Sequence, residues 1–260
     1  MLGESVGPQP TDNQRNSFID YAVTERLWLL IPSFLLGPES WAGVAQFLES
    51  IGQQTAVPPP VRTTPRQDDH ITPWLDGVTD AVPNDADLPI VVVGHSASCP
   101  REPLVVDRLI TRGHDVAAMI LVNGRFPDDQ SVPTERDSPF MDTLDSLVRP
   151  DGYLPPWHRW WGPMVEDMLP DDAARERVLS EAKPVPRAIF DQPIPAPKIS
   201  GDVLHGFLGL GKMYQPSYDQ ARAEGWSVAH LDGEHLQMVA DPMTVGGALL
   251  GILSHGALNR

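Results

Sequence analysis

A single cysteine, Cys99, leaves a 260-residue chain unable to close an internal disulfide, and it rules out any cysteine-based metal cluster. Basic residues are also scarce: 19 Lys and Arg stand against 35 Asp and Glu, a formal charge of −16. Nucleic acid and anionic membrane surfaces are bound by basic faces that release counterions or meet anionic lipid, so neither is an expected partner. No apolar stretch approaches the ~18 uninterrupted residues of a membrane span. The first 14 residues lack both a basic leader and a long apolar run, and no secretory signal is read there. No H-x-x-x-H or carboxylate-rich spacing points to a metal, and no cofactor is expected. A cytoplasmic enzyme acting on a small molecule or peptide is the class these absences leave open.

What is present is a succession of short apolar runs separated by helical patterns. Apolar residues make up 41% of the chain, enough for the core of one α/β domain. Residues 27–31 (Leu-Trp-Leu-Leu-Ile) form a continuous apolar run of the kind a sheet covered on both faces produces. Val44, Phe47, Leu48 and Ile51 then recur at helical spacing up to Gly52. Further strands are read at 55–57, 88–93, 116–122, 203–210 and 226–231, with helices near 74–82, 105–113, 217–224 and 245–252. A short strand at 18–23 would precede them. Strands alternating with helices predict a doubly wound, mostly parallel sheet. Between residues 124 and 197 prolines and acids are frequent and no β-rich run is seen; this stretch is read as a lid inserted into a single domain of residues 1–260. Within it Trp157, Trp160 and Trp161 bring more apolar area than a wet surface tolerates, and they are candidates to cover a pocket.

The chemically explicit stretch is Gly94-His95-Ser96-Ala97-Ser98, directly behind the apolar run at 88–93. A strand that stops at Gly and turns sharply through Ser toward a helix is the setting of the G-x-S-x-G nucleophile elbow, with Ser98 in place of the last Gly. Pro103 requires the following helix to start late or bend, and Ser98 places a side chain where close packing usually needs Gly, so a looser elbow is expected. Far along the chain, the last strand runs into Asp232-Gly233-Glu234-His235 and a helix of small and apolar residues.

In this order of parts the chain resembles the α/β-hydrolases from about residue 26 to 253. The resemblance implies that Ser96 is the nucleophile and His235 the base that takes its proton, by acyl-enzyme formation on an ester, thioester or lactone. It implies backbone amides for the developing oxyanion, one at Ala97 and one in the loop after the first strand, at Phe34 or Ser33, with Phe34 and Leu35 lining an acyl pocket. His95 would be a packed elbow residue pointing away from the chemistry. The triad acid has three candidates: Asp128, Asn123 acting as a neutral orienter through its carbonyl oxygen, and Asp219. Two other classes remain open. One is a non-hydrolytic enzyme, an isomerase, epimerase or cyclase using His235 as its base; the other is a ligand-binding protein without turnover.

Overall fold

A computed structural model describes residues 24–127, 139–162, 164–169, 171–195, 197–199 and 202–258. The strand expected at 18–23 and the candidate acid Asp128 lie outside them.

Among the described residues the framework is a six-stranded sheet with every pairing parallel. Its strands are β1 (Leu27–Ile31), β2 (Gln54–Ala56), β3 (Ile90–His95), β4 (Val116–Val122), β7 (Leu204–Leu210) and β8 (Ser227–Leu231), in the spatial order β2-β1-β3-β4-β7-β8. The strands are apolar along their length because both faces are covered. Trp28 and Leu30 of β1 and Val91 and Val93 of β3 enter one core layer, whereas Leu27, Leu29, Ile31, Ile90 and Val92 enter the other. The period-two alternation of side chains therefore feeds two cores at once. The first layer is closed by α1 (Ala42–Ser50) and the C-terminal α9 (Pro242–Leu258), and the second by α2 (Ile71–Thr79) and α3 (Glu102–Thr111). Burial of β3 is complete from Ile90 to Val93, each side chain contributing about 1.5–3 kcal/mol against exposure.

The chain runs from β1 outward to β2, then crosses back to place β3 on the other side of β1. The loops leaving β1 and β3 thus diverge at a switch point, where a parallel sheet opens a crevice beyond its carboxyl ends. The loop at 32–38 and the turn after His95 flank that crevice.

Between β4 and β7 lie α4 (Pro139–Leu147), the short strand β5 (Tyr153–Leu154), α5 (Met164–Met168), α6 (Asp172–Glu181) and β6 (Val185–Pro186). The expectation that this stretch has no strand is corrected: β5 and β6 pair antiparallel, Tyr153 opposite Pro186 and Leu154 opposite Val185. Two residues per strand leave no periodicity for the sequence to show. Asp171 accepts from the Ala174 amide (2.7 Å) and starts α6, and Glu181 at its end accepts from the Glu39 amide (2.8 Å), tying this segment to the loop after β1. Of the final elements, α7 (Gln215–Ala223) and α9 follow the expected order, α9 being longer at both ends than its apolar centre suggests, whereas the single turn α8 (Gln237–Ala240) between them is not among the expected helices. Among the described residues no helix is long and apolar enough to cross a membrane.

Candidate active site

β3 ends at His95, and the chain turns at once into a 3-10 helix, Ser96–Arg101, before α3 begins. Pro103 is accommodated because α3 starts at Glu102, which puts the proline in the first helical turn, where no internal hydrogen bond is lost. Ser96 has φ +56°, and Asn123, directly after β4, has φ +44°; among the described residues these two alone, outside glycine, adopt positive φ. That backbone is strained for residues with a Cβ, and it persists where the surroundings over-determine it. Both strained residues reach the same histidine.

His235 Nε2 lies 2.8 Å from Ser96 Oγ, and His235 Nδ1 lies 2.7 Å from Asn123 Nδ2. All three residues are buried. The orientation of the Asn123 amide follows from its other partner. Its Oδ1 accepts a hydrogen bond from the Leu210 backbone amide at 3.1 Å, and a backbone N–H needs an acceptor. The NH2 group must therefore face His235, where it donates to Nδ1. An imidazole whose Nδ1 accepts carries its proton on Nε2, so His235 donates toward Ser96 Oγ. This is the tautomer opposite to that of a general base poised to take the serine proton.

The local reason for Asn at this point is the edge of the ladder. The Asn123 backbone amide continues the β4–β7 pairing by donating to Leu208 (2.9 Å), and its side-chain oxygen takes over at Leu210, where β4 has ended. A side-chain carbonyl two bonds from the backbone fits that role; a longer or apolar side chain would orphan the Leu210 amide. Gly124 follows because a Cβ there would collide with Cys99 Sγ and the Ser96 carbonyl, so the end of β4 presses against the elbow.

His235 sits in buried, largely aromatic surroundings. Its ring centroid is 4.6 Å from that of His95, 5.6 Å from Tyr214 and 6.3 Å from Trp157. Burial pushes its pKa down to about 4, so the ring is neutral at physiological pH. His95 does more than pack behind the elbow: its Nε2–H donates to the His235 carbonyl at 3.1 Å, holding the loop that carries the imidazole. His95 is itself kept neutral, first by burial and then by the neighbouring His235.

The expected looseness of the elbow is corrected by a hydrogen bond. Ser98 is fully buried, and its Oγ donates to the Pro32 carbonyl at 2.7 Å, joining the elbow to the loop after β1. In that loop the Leu35 and Leu36 amides are engaged by Ser33, at Oγ (3.4 Å) and the carbonyl (2.8 Å) respectively. No protein acceptor takes the Phe34 amide among the described residues. Ala97 stands in the first turn of its 3-10 helix, where backbone amides have no internal partner.

Above Ser96 opens a cavity of about 450 Å³. Ser96, Ala97, His235, Phe34 and Leu35 line it from the sheet side, and Trp157, Trp160 and Trp161 from the segment between β4 and β7. The tryptophans also hold that segment together: Trp160 Nε1 donates to the Pro155 carbonyl (2.7 Å), and Trp161 stacks on Phe140 at 6.2 Å. Asp219 is not brought to the site; it is exposed and accepts from Gln215 Nε2 at 2.9 Å. Sequence reasoning missed Leu210, His95 as a support for His235, and Arg101, which lines the cavity from the last position of the 3-10 helix. The only local signal for Arg101 is its spacing of five from Ser96.

No protein-family model matches this chain, and no curated protein matches it either. Solved structures do. An extracellular α/β-hydrolase from a Paenibacillus species superposes with a TM-score of 0.68 at 13% identity, covering 87% of this chain and 98% of the other. A pyrethroid hydrolase from Sphingobium faniae gives 0.66 at 14%, with 88% and 98% covered. Tomato methylketone synthase I, in a variant complexed with beta-ketoheptanoate, gives 0.67 at 13%, with 90% and 99% covered. With the parallel sheet, the elbow after β3 and the histidine after β8, these likenesses show that the chain has the α/β-hydrolase fold.

Proposed function

We propose that the protein is a serine hydrolase acting on an ester, thioester or lactone with a largely apolar acyl part. The observation that carries this reading is the 2.8 Å contact between Ser96 Oγ and His235 Nε2 on a positive-φ elbow that opens into an apolar cavity. Ser96 Oγ attacks the acyl carbon while its proton passes to Nε2, and the amides of Ala97 and Phe34 receive the oxyanion. The bond to the leaving oxygen or sulfur then breaks and takes that proton. Water repeats the sequence on the acyl-enzyme and frees Ser96.

Asn123 sets the terms of this chemistry. Nε2 accepts a proton only when the ring proton has moved to Nδ1, and there it meets an amide NH2 unless Asn123 turns and abandons Leu210. Leaving a buried donor unpaired costs roughly 1–3 kcal/mol, so the basic tautomer is a minority species. Such a site favours activated acyl donors, with thioesters, lactones and aryl esters ahead of unactivated amides.

A second reading is favoured by the same amide. A neutral imidazole presenting Nε2–H to the cavity suits proton transfer to or from a bound metabolite without an acyl-enzyme, as in an isomerase, epimerase or cyclase. That the fold serves other work is illustrated by the tomato synthase. A fluorophosphonate probe separates the readings. The hydrolase reading requires labelling of Ser96, with labelling and p-nitrophenyl ester turnover both lost in Ser96→Ala. Activity that survives Ser96→Ala and disappears in His235→Ala supports proton transfer instead, and ligand binding without turnover or labelling leaves a binding protein.

A further inference from the structure

The cavity's charge runs against that of the chain. In a protein with 35 acidic and 19 basic residues, the described residues lining the cavity include two arginines, Arg101 and Arg125, and no carboxylate. Arg101 is only 4% exposed. Its hydrogen bonds run to backbone carbonyls, Ala97 at 2.9 Å and Ile189 at 3.2 Å, and its guanidinium lies 4.5 Å from the centre of the Phe34 ring. Carbonyls and a ring face hold a guanidinium in place but do not cancel a full positive charge. No carboxylate pairs with it among the described residues, although the exposed or half-exposed Arg108, Arg112, Arg149 and Arg175 each have an aspartate partner. Burial and then the field of Arg125 pull the Arg101 pKa down to about 10, which leaves it charged at neutral pH. A buried cation kept in a cavity wall, with N–H groups to spare, is a site for an anion.

We propose that Arg101 reads an anionic group on the substrate: the molecule that places its reacting carbonyl at Ser96 carries a carboxylate elsewhere on its apolar chain, and that carboxylate docks on Arg101 beside Phe34. The planar fork of a guanidinium matches a carboxylate. The surrounding wall of Trp, Phe, Met and Leu suits one compact monoanion on a hydrocarbon body better than a multiply charged phosphate, which needs many donors. That the carbonyl end reaches Ser96 rests on the hydrolase reading; the anion subsite does not.

The test therefore measures binding apart from turnover. Monomethyl suberate and dimethyl suberate differ in one negative charge, and both are titrated against the intrinsic fluorescence of the wild-type protein, three of whose tryptophans line the cavity. The monoanion is expected to bind at least about tenfold more tightly at low salt. The preference should vanish in Arg101→Met, persist in Arg101→Lys, and be unchanged in Arg108→Met, which removes a surface charge. Equal binding of the two esters by the wild type, binding of neither, or a preference that survives Arg101→Met overturns the proposal. If Arg101→Met does not fold, the wild-type pair decides alone. Turnover of mono-p-nitrophenyl suberate is read separately. Carboxylate-selective binding without turnover removes the serine reaction and keeps the subsite; turnover without selectivity does the reverse.

Discussion

The Asn123 amide nitrogen stands 2.7 Å from His235 Nδ1, and the Leu210 amide on the far side of Asn123 dictates that the group facing the histidine is a donor. An aspartate in the same cradle would accept from both neighbours at once, from the Leu210 N–H and from a protonated Nδ1, and would put the free lone pair of Nε2 opposite Ser96 Oγ. Asn123→Asp is accordingly expected to raise kcat for p-nitrophenyl butyrate by about 10²-fold or more, within the ~10⁴ that a wrong tautomer can cost a serine triad. Steady-state kinetics at pH 7.5 checks this. An unchanged kcat would show that the tautomer of His235 does not limit the reaction.

The pH profile should carry the signature of the buried histidine. With the His235 pKa lowered from 6.5 to about 4 by burial, Ser96-dependent kcat/KM is expected to stay level from pH 8 to about 5 and to fall only below it. In Asn123→Asp the carboxylate stabilises the imidazolium, and the acidic limb should move up by more than a pH unit. The same shift acts on stability. Between pH 6.5 and 4 the unfolded chain binds a proton at this position and the folded one does not, so stability is lost as pH falls through that window, by up to about 3 kcal/mol. The urea midpoint of wild type should therefore fall more steeply than that of His235→Phe as pH drops from 6.5 to 4, the variant being less sensitive to acid.

Ser98 offers a test of the elbow's tie to the loop after β1. Removing the Oγ that donates to Pro32 should cost about 1 kcal/mol in both Ser98→Ala and Ser98→Gly, because a buried carbonyl is left without its partner in each. Ester turnover should fall in parallel, since that loop carries Phe34. Thermal unfolding and kcat measured on the same samples check both effects; a Ser98→Gly variant as stable and active as wild type would mean that the hydrogen bond does not secure the elbow.

Glu102 lies fully buried behind the elbow, where a Cβ on Gly94 would collide with its carboxyl group, and burial holds its pKa well above the ordinary 4.5. Its folded form keeps a proton that the unfolded chain releases. The stability it contributes is thus full below about pH 4.5 and declines as pH rises above it. Glu102→Gln keeps the shape and removes the titration, so its melting temperature relative to wild type should increase from pH 4.5 to pH 8. A constant difference across that range would contradict a neutral buried carboxyl.

Much of this was legible without coordinates. The apolar runs of β1, β3, β4 and β7 are local patterns, and a sheet buried on both faces leaves little else for them to be. Ser96 and His235 could be paired across 139 residues because each follows the end of a strand and the strand order of a doubly wound sheet brings such ends together. The sequence also limited the third position to a short list including Asn123, whose side chain stands beside His235. The direction of the Asn123 amide lay beyond it, because that depends on Leu210, a residue 87 positions away whose N–H is aimed by the β4–β7 register. The same holds for Arg101: among the described residues no carboxylate pairs with it, and its place in the cavity wall beside Phe34 and Ile189 follows from contacts between segments far apart in the chain. Periodicity and motif spacing determine which elements form and which residues stand at their ends; donor, acceptor and counter-charge are decided by contacts between elements far apart in the chain, and those exist only once the sheet has set its register.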